Sequence, residues 1–361
     1  MMTRRAFTAA ASAALCAPAF AQPPPGGSPR LCDLAAARGL FFGAATNNYW
    51  QRDSDFTQAL LDDCAIIVPE YELKRDLIEP VRGQYDFSAS DALLSFARAN
   101  ELLFRGHPLV WYASNPPWLE DAVANAKDER IITDYIAAVC HHYRGQIHSW
   151  DVVNEAIEPA DGGLRNSLWL KRFGPGYIET AFRAARQADP HALLVYNDYS
   201  LEEAGPVYDA RRRATLDLLG GLKARGVPVD ALGLQAHLSA FGHRIDQKVL
   251  REFLDAVGAM GLRILVTEHD VDDSDGPLDA DARDAAVADI SRRFLDVVLD
   301  NSATLGVLTW GLSDRYLKYD GTRDALLRGT PRKLPLDRNM MPTALHAALA
   351  AAFRGARGRH V

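Results

Sequence analysis

The sequence predicts an α/β protein built as a single (β/α)8 TIM barrel, and three observations lead there. From residue 38 onward eight short apolar or β-branched runs alternate with longer stretches of helical spacing; several runs, such as Ile264-Leu265-Val266, are continuously apolar; and no break in composition divides the chain. Strands that are apolar on both sides are covered on both faces, as in a parallel sheet with helices outside it. Eight strand-helix units without a Gly-rich phosphate-binding turn after the first strand favour closure over an open doubly wound sheet.

The eight runs are 40–45, 65–70, 102–111, 147–155, 193–198, 231–237, 263–270 and 305–310. Between the seventh and eighth, Ile290, Phe294 and Val297 recur at helical spacing within 281–300 and predict one buried stripe. Asn100, Gly145, Gly226 and Gly261 stand just before the third, fourth, sixth and seventh runs, where a helix is expected to end in a left-handed cap. Pro190 is expected to close the helix before the fifth.

The chain has 361 residues, 48% hydrophobic and 24% charged, with four cysteines, which excludes a disulfide-stapled miniprotein or a disordered tail. Residues 1–21 carry Arg4-Arg5 ahead of a short Ala-rich run ending in Ala19-Phe20-Ala21, the pattern of a twin-arginine export signal. That run is too short to span a bilayer, and no later stretch is long enough, so the mature chain is expected to be periplasmic or secreted and free of membrane. Residues 22–29, rich in Pro and Gly, read as a flexible entry segment, 30–353 as the catalytic barrel and 354–361 as a basic tail.

Removing 1–21 takes Arg4 and Arg5 and no acid, moving the net charge from −7 to −9, the wrong sign for a nucleic-acid binder. Cys32, Cys64 and Cys140 then remain; an oxidising compartment would permit one disulfide, with the pair left open. No cofactor and no metal are expected, and Asp272, Asp273, Asp275 and Asp279 read as a solvated acidic loop. A monomer is expected.

In such a barrel the chemistry sits where strands end. The residues closing the runs include Asn47, Glu70, His107, Asn154 and Glu155, Asn197 and Asp198, Gln235 and His237, Glu268 and Asp270, and Trp310. Glu155 and Glu268 each follow a buried-looking strand. Paired carboxylates are what glycoside hydrolysis requires: one protonates the departing oxygen while the other attacks the anomeric carbon or activates water.

Over almost all of residues 38–351 the chain resembles the xylanases of glycoside hydrolase family 10. Trp150-Asp151-Val152-Val153-Asn154-Glu155 is similar to the family's acid/base segment and Val266-Thr267-Glu268-His269-Asp270 to its nucleophile segment. Gly106-His107-Pro108-Leu109-Val110-Trp111, Leu234-Gln235-Ala236-His237 and Thr309-Trp310-Gly311-Leu312-Ser313-Asp314 match three further signatures in order. The resemblance implies a retaining endo-acting enzyme cutting β-1,4-xylosidic bonds of xylan or xylo-oligosaccharides, with Glu268 as nucleophile, Glu155 as acid/base and carboxyl groups about 5–5.5 Å apart. It further implies that His237 bonds the nucleophile, Asp270 orients that histidine, Asn154 grips the sugar 2-hydroxyl and Gln235 supports the acid/base. Glu70, Lys74, His107, Trp111 and Trp310 would line the glycone side, and Tyr199 would meet the sugar on the leaving side.

The departures gather on the distal glycone side. Tyr71 and Arg75 stand where the family has Asn and Trp, Tyr112 and Ser114 replace a His and a Gln, and Lys318 occupies the place of a second tryptophan. These changes predict a weaker grip on unsubstituted xylose there, and raise the expectation that Arg75 or Lys318 meets a uronic-acid decoration. Two alternatives follow: a member retuned to a different or uronic-acid-decorated β-glycoside, and a barrel that binds sugar without cutting it.

Overall fold

A computed structural model describes residues 29–158, 160, 162–317 and 331–359. The expectations placed on 1–21 and on most of 22–29, and on Lys318, lie outside the described residues. The strands are β1 (Phe41–Thr46), β2 (Ile66–Pro69), β3 (Leu103–Gly106), β4 (Ser149–Asn154), β5 (Leu193–Asp198), β6 (Ala231–Leu234), β7 (His237–Ser239), β8 (Arg263–Asp272) and β9 (Thr304–Thr309). Strands β1 to β6, β8 and β9 pair in parallel around a ring, β1 on β9 and β6 on β8, so the barrel is closed with eight staves. The short β7 lies parallel to the far end of β8, His237 opposite Asp270.

The helices are α1 (Leu31–Ala36), α2 (Ser54–Asp63), α3 (Arg75–Ile78), α4 (Ser88–Ala99), α5 (Leu119–Ala124), α6 (Arg130–His142), α7 (Leu168–Phe173), α8 (Gly176–Ala188), α9 (Pro206–Ala224), α10 (Gln247–Ala259), α11 (Ala280–Val298) and α12 (Ala344–Gly355). Their apolar faces form one core with the outer side of the strands: Ile290, Phe294 and Val297 of α11 are all buried there, as the spacing predicts. Smaller clusters, Ala45, Ile66, Val68 and Leu308 in one and Val195, Ala231 and Leu265 in another, gather strand side chains alone, with Phe41 against both. Side-chain oxygens start several helices by accepting an orphan amide: Asp53 from Phe56 N at 3.0 Å, Ser167 from Leu170 N at 3.2 Å, Asp246 from Lys248 N at 3.0 Å.

Four expectations need adjustment. The third run stops as a strand at Gly106, because Pro108 has no amide to donate to a ladder; the chain still tracks β4, with Leu109 N on Asp151 O at 2.9 Å and Val110 N on Val152 O at 3.0 Å. The sixth run splits into β6 and β7 at Gln235-Ala236, where Ala236 turns to φ 58°. The cap expected at Asn100 falls one residue later, on Glu101 at φ 58°, whereas Gly145, Gly226 and Gly261 take positive φ as expected. The acidic loop is not wholly solvated: Asp273 is buried with Arg283 Nη1 3.4 Å away, and Asp279 caps α11.

Cys32, Cys64 and Cys140 are free and buried. The segment expected to be a basic tail contributes Arg354 and Gly355 to α12, and Arg359 donates to the carbonyls of Thr304, Leu299 and Asn301.

Candidate active site

Glu155 is the first residue beyond β4. Its backbone turns to φ 57°, and its amide donates to Asn197 O at 2.9 Å. This turn, unusual for a residue with a side chain, belongs to a residue only 8% exposed, whose carboxyl group is held from both sides. Oε1 accepts from Gln235 Nε2 at 3.0 Å and Asn154 Nδ2 at 3.2 Å, and Oε2 accepts from Trp111 Nε1 at 2.9 Å. The segments closing β3, β4 and β6 therefore contribute to one carboxyl group, and β5 holds its backbone.

Glu268 lies inside β8, where the register against β9 slips between Val266 and His269. Such a slip re-aims side chains beside it. Glu268 Oε1 accepts from Asn197 Nδ2 at 2.7 Å, and Oε2 lies 3.2 Å from His237 Nε2, whose Nδ1 is 2.9 Å from Asp270 Oδ1. Lys333 Nζ approaches the other Asp270 oxygen at 3.7 Å.

Asn197 joins the two halves. Its Nδ2 also donates to Asn154 Oδ1 at 2.9 Å, while its Oδ1 accepts from Thr267 Oγ1 at 2.7 Å. Glu155 and Glu268 thus belong to one hydrogen-bonded set at the same rim of the barrel.

The charges are ordered by this set. Burial would push the Glu268 carboxyl up, but the His237 bond and the His107 and His237 rings beside it outweigh burial and hold it below the usual range. Burial also works against a charged His237; Asp270 and Glu268 on either side override it and hold the imidazole well above its ordinary value. Asp270 is correspondingly lowered, mainly by His237 acting against burial. A group is stabilised in its charged form by an opposite charge within a few ångströms.

Around the carboxylates, Lys74 Nζ sits 5.0 Å from the Tyr71 ring centre, 5.2 Å from that of Trp111 and 5.9 Å from that of Trp310. Burial lowers the Lys74 amine, with Glu268 and Glu70 pulling the other way. The His107 ring stands 5.2 Å from that of Trp310, and Glu70 closes β2 with Asn47 Nδ2 3.4 Å from its Oε2. Tyr199, beyond β5, accepts from Arg165 Nη2 at 2.8 Å. His107, Asp151 and Glu268 bring potential ligand atoms within 4.8 Å of one another. Yet both Asp151 oxygens are taken by the Arg105 guanidinium, which sets a positive charge where a cation would have to sit.

Arg75 departs from expectation. Its guanidinium is buried, paired with Glu79 Oε2 at 2.9 Å, bonded to Ile131 O at 3.2 Å and laid 4.1 Å over the Tyr135 ring. It lines a separate cavity of about 520 Å³ with Glu79, Trp118 and Tyr135. Lys74 and Arg75 are consecutive where α3 begins, and only Lys74 reaches the carboxylate rim.

Several participants were not assigned roles from sequence. Asn197 was visible as a strand-end residue, but nothing in a one-dimensional pattern shows that its amide links two distant glutamates. Thr267 and Asp151 stand inside the two glutamate segments, which give them no role of their own, and Arg105 lies in β3 outside any motif. Arg165 and Lys333 come from loops, where spacing carries no signal.

The comparisons with known proteins agree with this architecture. The model of the family described as "Glycosyl hydrolase family 10" matches residues 30–352. The chain is 32% identical over 311 residues to endo-1,4-beta-xylanase B of Thermotoga neapolitana, covering 85% of this chain and 86% of that protein. It is 32% identical over 337 residues to endo-1,4-beta-xylanase C of Phanerodontia chrysosporium, covering 91% and 80%. Among solved structures, xylanase 10B of Thermotoga petrophila RKU-1 in complex with xylobiose is similar at a TM-score of 0.81 and 31% identity, covering 91% of this chain and 98% of that one. Native xylanase 10B of Thermotoga maritima gives 0.80 and 31%, covering 90% and 98%. With a closed eight-stranded barrel, two linked glutamates at its rim and a family match over nearly its whole described length, the chain belongs to glycosyl hydrolase family 10.

Proposed function

We propose that the protein is a retaining endo-β-1,4-xylanase acting on xylan or xylo-oligosaccharides. The observation that carries this reading is the pair of buried glutamates in unlike settings. Glu268 is bonded by Asn197 and His237 and held ionised, while Glu155 is bonded by three side-chain N–H donors from Trp111, Asn154 and Gln235.

In the first step a Glu268 oxygen attacks the anomeric carbon, the bond from that carbon to the leaving sugar's oxygen breaks, and Glu155 gives its proton to that oxygen. In the second, Glu155 takes a proton from water, the water oxygen bonds to the anomeric carbon, and Glu268 leaves as a carboxylate. Asn154 would meet the 2-hydroxyl, a bond that strengthens as positive charge develops on the ring. Lys74, Glu70 and His107 would hold glycone hydroxyls, Trp111 and Trp310 would wall that sugar in, and Tyr199 would face the leaving sugar. The domain plan belongs to the same proposal: residues 1–21 direct twin-arginine export, and the barrel works as a monomer outside the cytoplasm. Replacing Arg4 and Arg5 by lysines is expected to retain the enzyme in the cytoplasm.

The test is reducing-sugar release from xylan by the wild type and by Glu268→Gln, with the anomer formed first followed by NMR. The reading expects β-configured product and a loss of roughly 10⁴-fold or more in the variant. A wild type that binds xylo-oligosaccharides but is as inert as Glu268→Gln would make this a sugar-binding barrel instead.

A further inference from the structure

The loop after β4 doubles back on itself. Ile157 bridges Leu164 antiparallel, and Arg165 N donates to Ala156 O at 2.7 Å. The hairpin returns Arg165 to the residue that started it: Arg165 Nε donates to the backbone carbonyl of Glu155 at 2.8 Å. Since the Glu155 amide is already bonded to Asn197 O at 2.9 Å, the peptide groups of this left-handed residue are pinned on both sides. Non-glycine residues rarely hold such a conformation, and it persists where surroundings impose it.

The same guanidinium reaches further. Nη2 donates to Tyr199 OH at 2.8 Å, and the plane lies 4.2 Å over the Tyr112 ring. The Arg211 guanidinium also stands 4.6 Å from the Tyr199 ring centre and pairs with the buried Asp198 at 2.7 Å. Tyr112, Arg165, Tyr199 and Arg211 thus alternate ring and cation in a chain of contacts joining the segments that follow β3, β4 and β5 to α9. Tyr112 stands where the family pattern has a histidine, so the first ring of that chain of contacts is a feature of this sequence. A planar fork with several fixed donors suits the task of bonding a carbonyl and a phenol while stacking on a ring; a lysine ammonium cannot do all three.

We infer that Arg165 is a positioning residue for proton transfer. It fixes the backbone of Glu155, and with it the aim of the carboxyl group, and sets Tyr199 against the leaving sugar. This inference rests on the proposed reading of Glu155 as acid/base. Arg165 moves no proton itself, so its loss should imitate a misaimed acid/base.

Arg165→Ala and Arg165→Lys, in the full enzyme, test this with two substrates. Xylotriose needs a proton on its leaving oxygen; dinitrophenyl β-xylobioside releases a stable phenolate and needs none. Expected for both variants is a fall of roughly 10²-fold in kcat/KM on xylotriose, with less than about threefold on the dinitrophenyl substrate. On the latter, kcat should fall because the base is needed to free the glycosyl-enzyme. Sodium azide should then restore kcat and yield the β-xylobiosyl azide, since azide displaces Glu268 from the anomeric carbon without giving up a proton. Equal losses on both substrates, or none on either, would overturn the inference, as would an absence of azide product. Arg165→Lys keeps the charge and stem, so a melting temperature near wild type with the split intact separates aim from folding. A wild type inactive on xylotriose would bring down the xylanase reading itself, and this inference with it.

Discussion

His237 lies between Glu268 Oε2 at 3.2 Å and Asp270 Oδ1 at 2.9 Å, and those two carboxylates keep its ring charged well above the usual imidazole range in spite of burial. A charged ring donates to both neighbours at once; a neutral ring has one N–H and must abandon one of them. Asp270→Asn removes the nearer charge, so His237 should lose its second proton at lower pH and the alkaline limb of kcat/KM should move down by about one unit or more. A limb that stays in place would show that His237 does not govern it. Asp314, just beyond β9, presents the opposite sign. Burial pushes its carboxyl to about 8, with the Asp273 charge adding to burial and the Leu334 amide and the Arg332 charge acting against them. From its ordinary value of 3.8 up to about 8 the folded chain therefore holds a proton that the unfolded chain has released. Its contribution to stability falls as pH rises across that window. Asp314→Asn, whose amide oxygen can still accept from Leu334 N, should flatten the decline in melting temperature between about pH 5 and pH 8. Melting curves at the two pH values decide it.

Between residues and the whole barrel, strands β5, β6 and β8 are fitted to one another through Asn197. A Cβ placed on Gly233 of β6 would stand 2.3 Å from Asn197 Oδ1 and 3.0 Å from Thr267 Cγ2. Asn197 is short and bonded at both ends of its amide, so it cannot retreat without releasing Asn154 or Glu268. Gly233→Ala should accordingly lower kcat by roughly 10²-fold, in line with small displacements of catalytic groups elsewhere, while far-UV circular dichroism remains that of the barrel. A kcat within twofold of wild type would mean that Asn197 does not set the spacing of the two carboxylates. Helix and strand order was legible because apolar periodicity and terminal glycines act locally. What escaped was set by distant partners: the slip in β8 at Glu268, the break at Ala236 and the placing of the Arg75 guanidinium over the Tyr135 ring depend on residues tens of positions away. Arg75, adjacent in sequence to Lys74, has its guanidinium paired with Glu79 one helical turn away and bonded to Ile131 O.

At the scale of the molecule, closure of the barrel makes four distant strand ends into one wall, and it makes the cysteines inert. Cys32, Cys64 and Cys140 are buried as free thiols, and burial pushes Cys32 up to about 11 with Cys64 and Cys140 raised as well. Thiols so far from ionisation react slowly, so a thiol reagent should label them only after unfolding, and a reductant should leave the melting temperature unchanged. Strand order, the two glutamates and their nearest neighbours were readable from motifs because each stands in a short segment of its own strand or just beyond it. Their linkage through Asn197 appears only once the ring is shut. The arrangement stands or falls on Glu268 as the residue that becomes joined to sugar. Incubation with dinitrophenyl 2-deoxy-2-fluoro-β-xylobioside, followed by peptide mass spectrometry, should find one fluoroxylobiosyl group per chain, on Glu268. Labelling of another carboxylate, or turnover of the reagent with no trapped adduct, would contradict it.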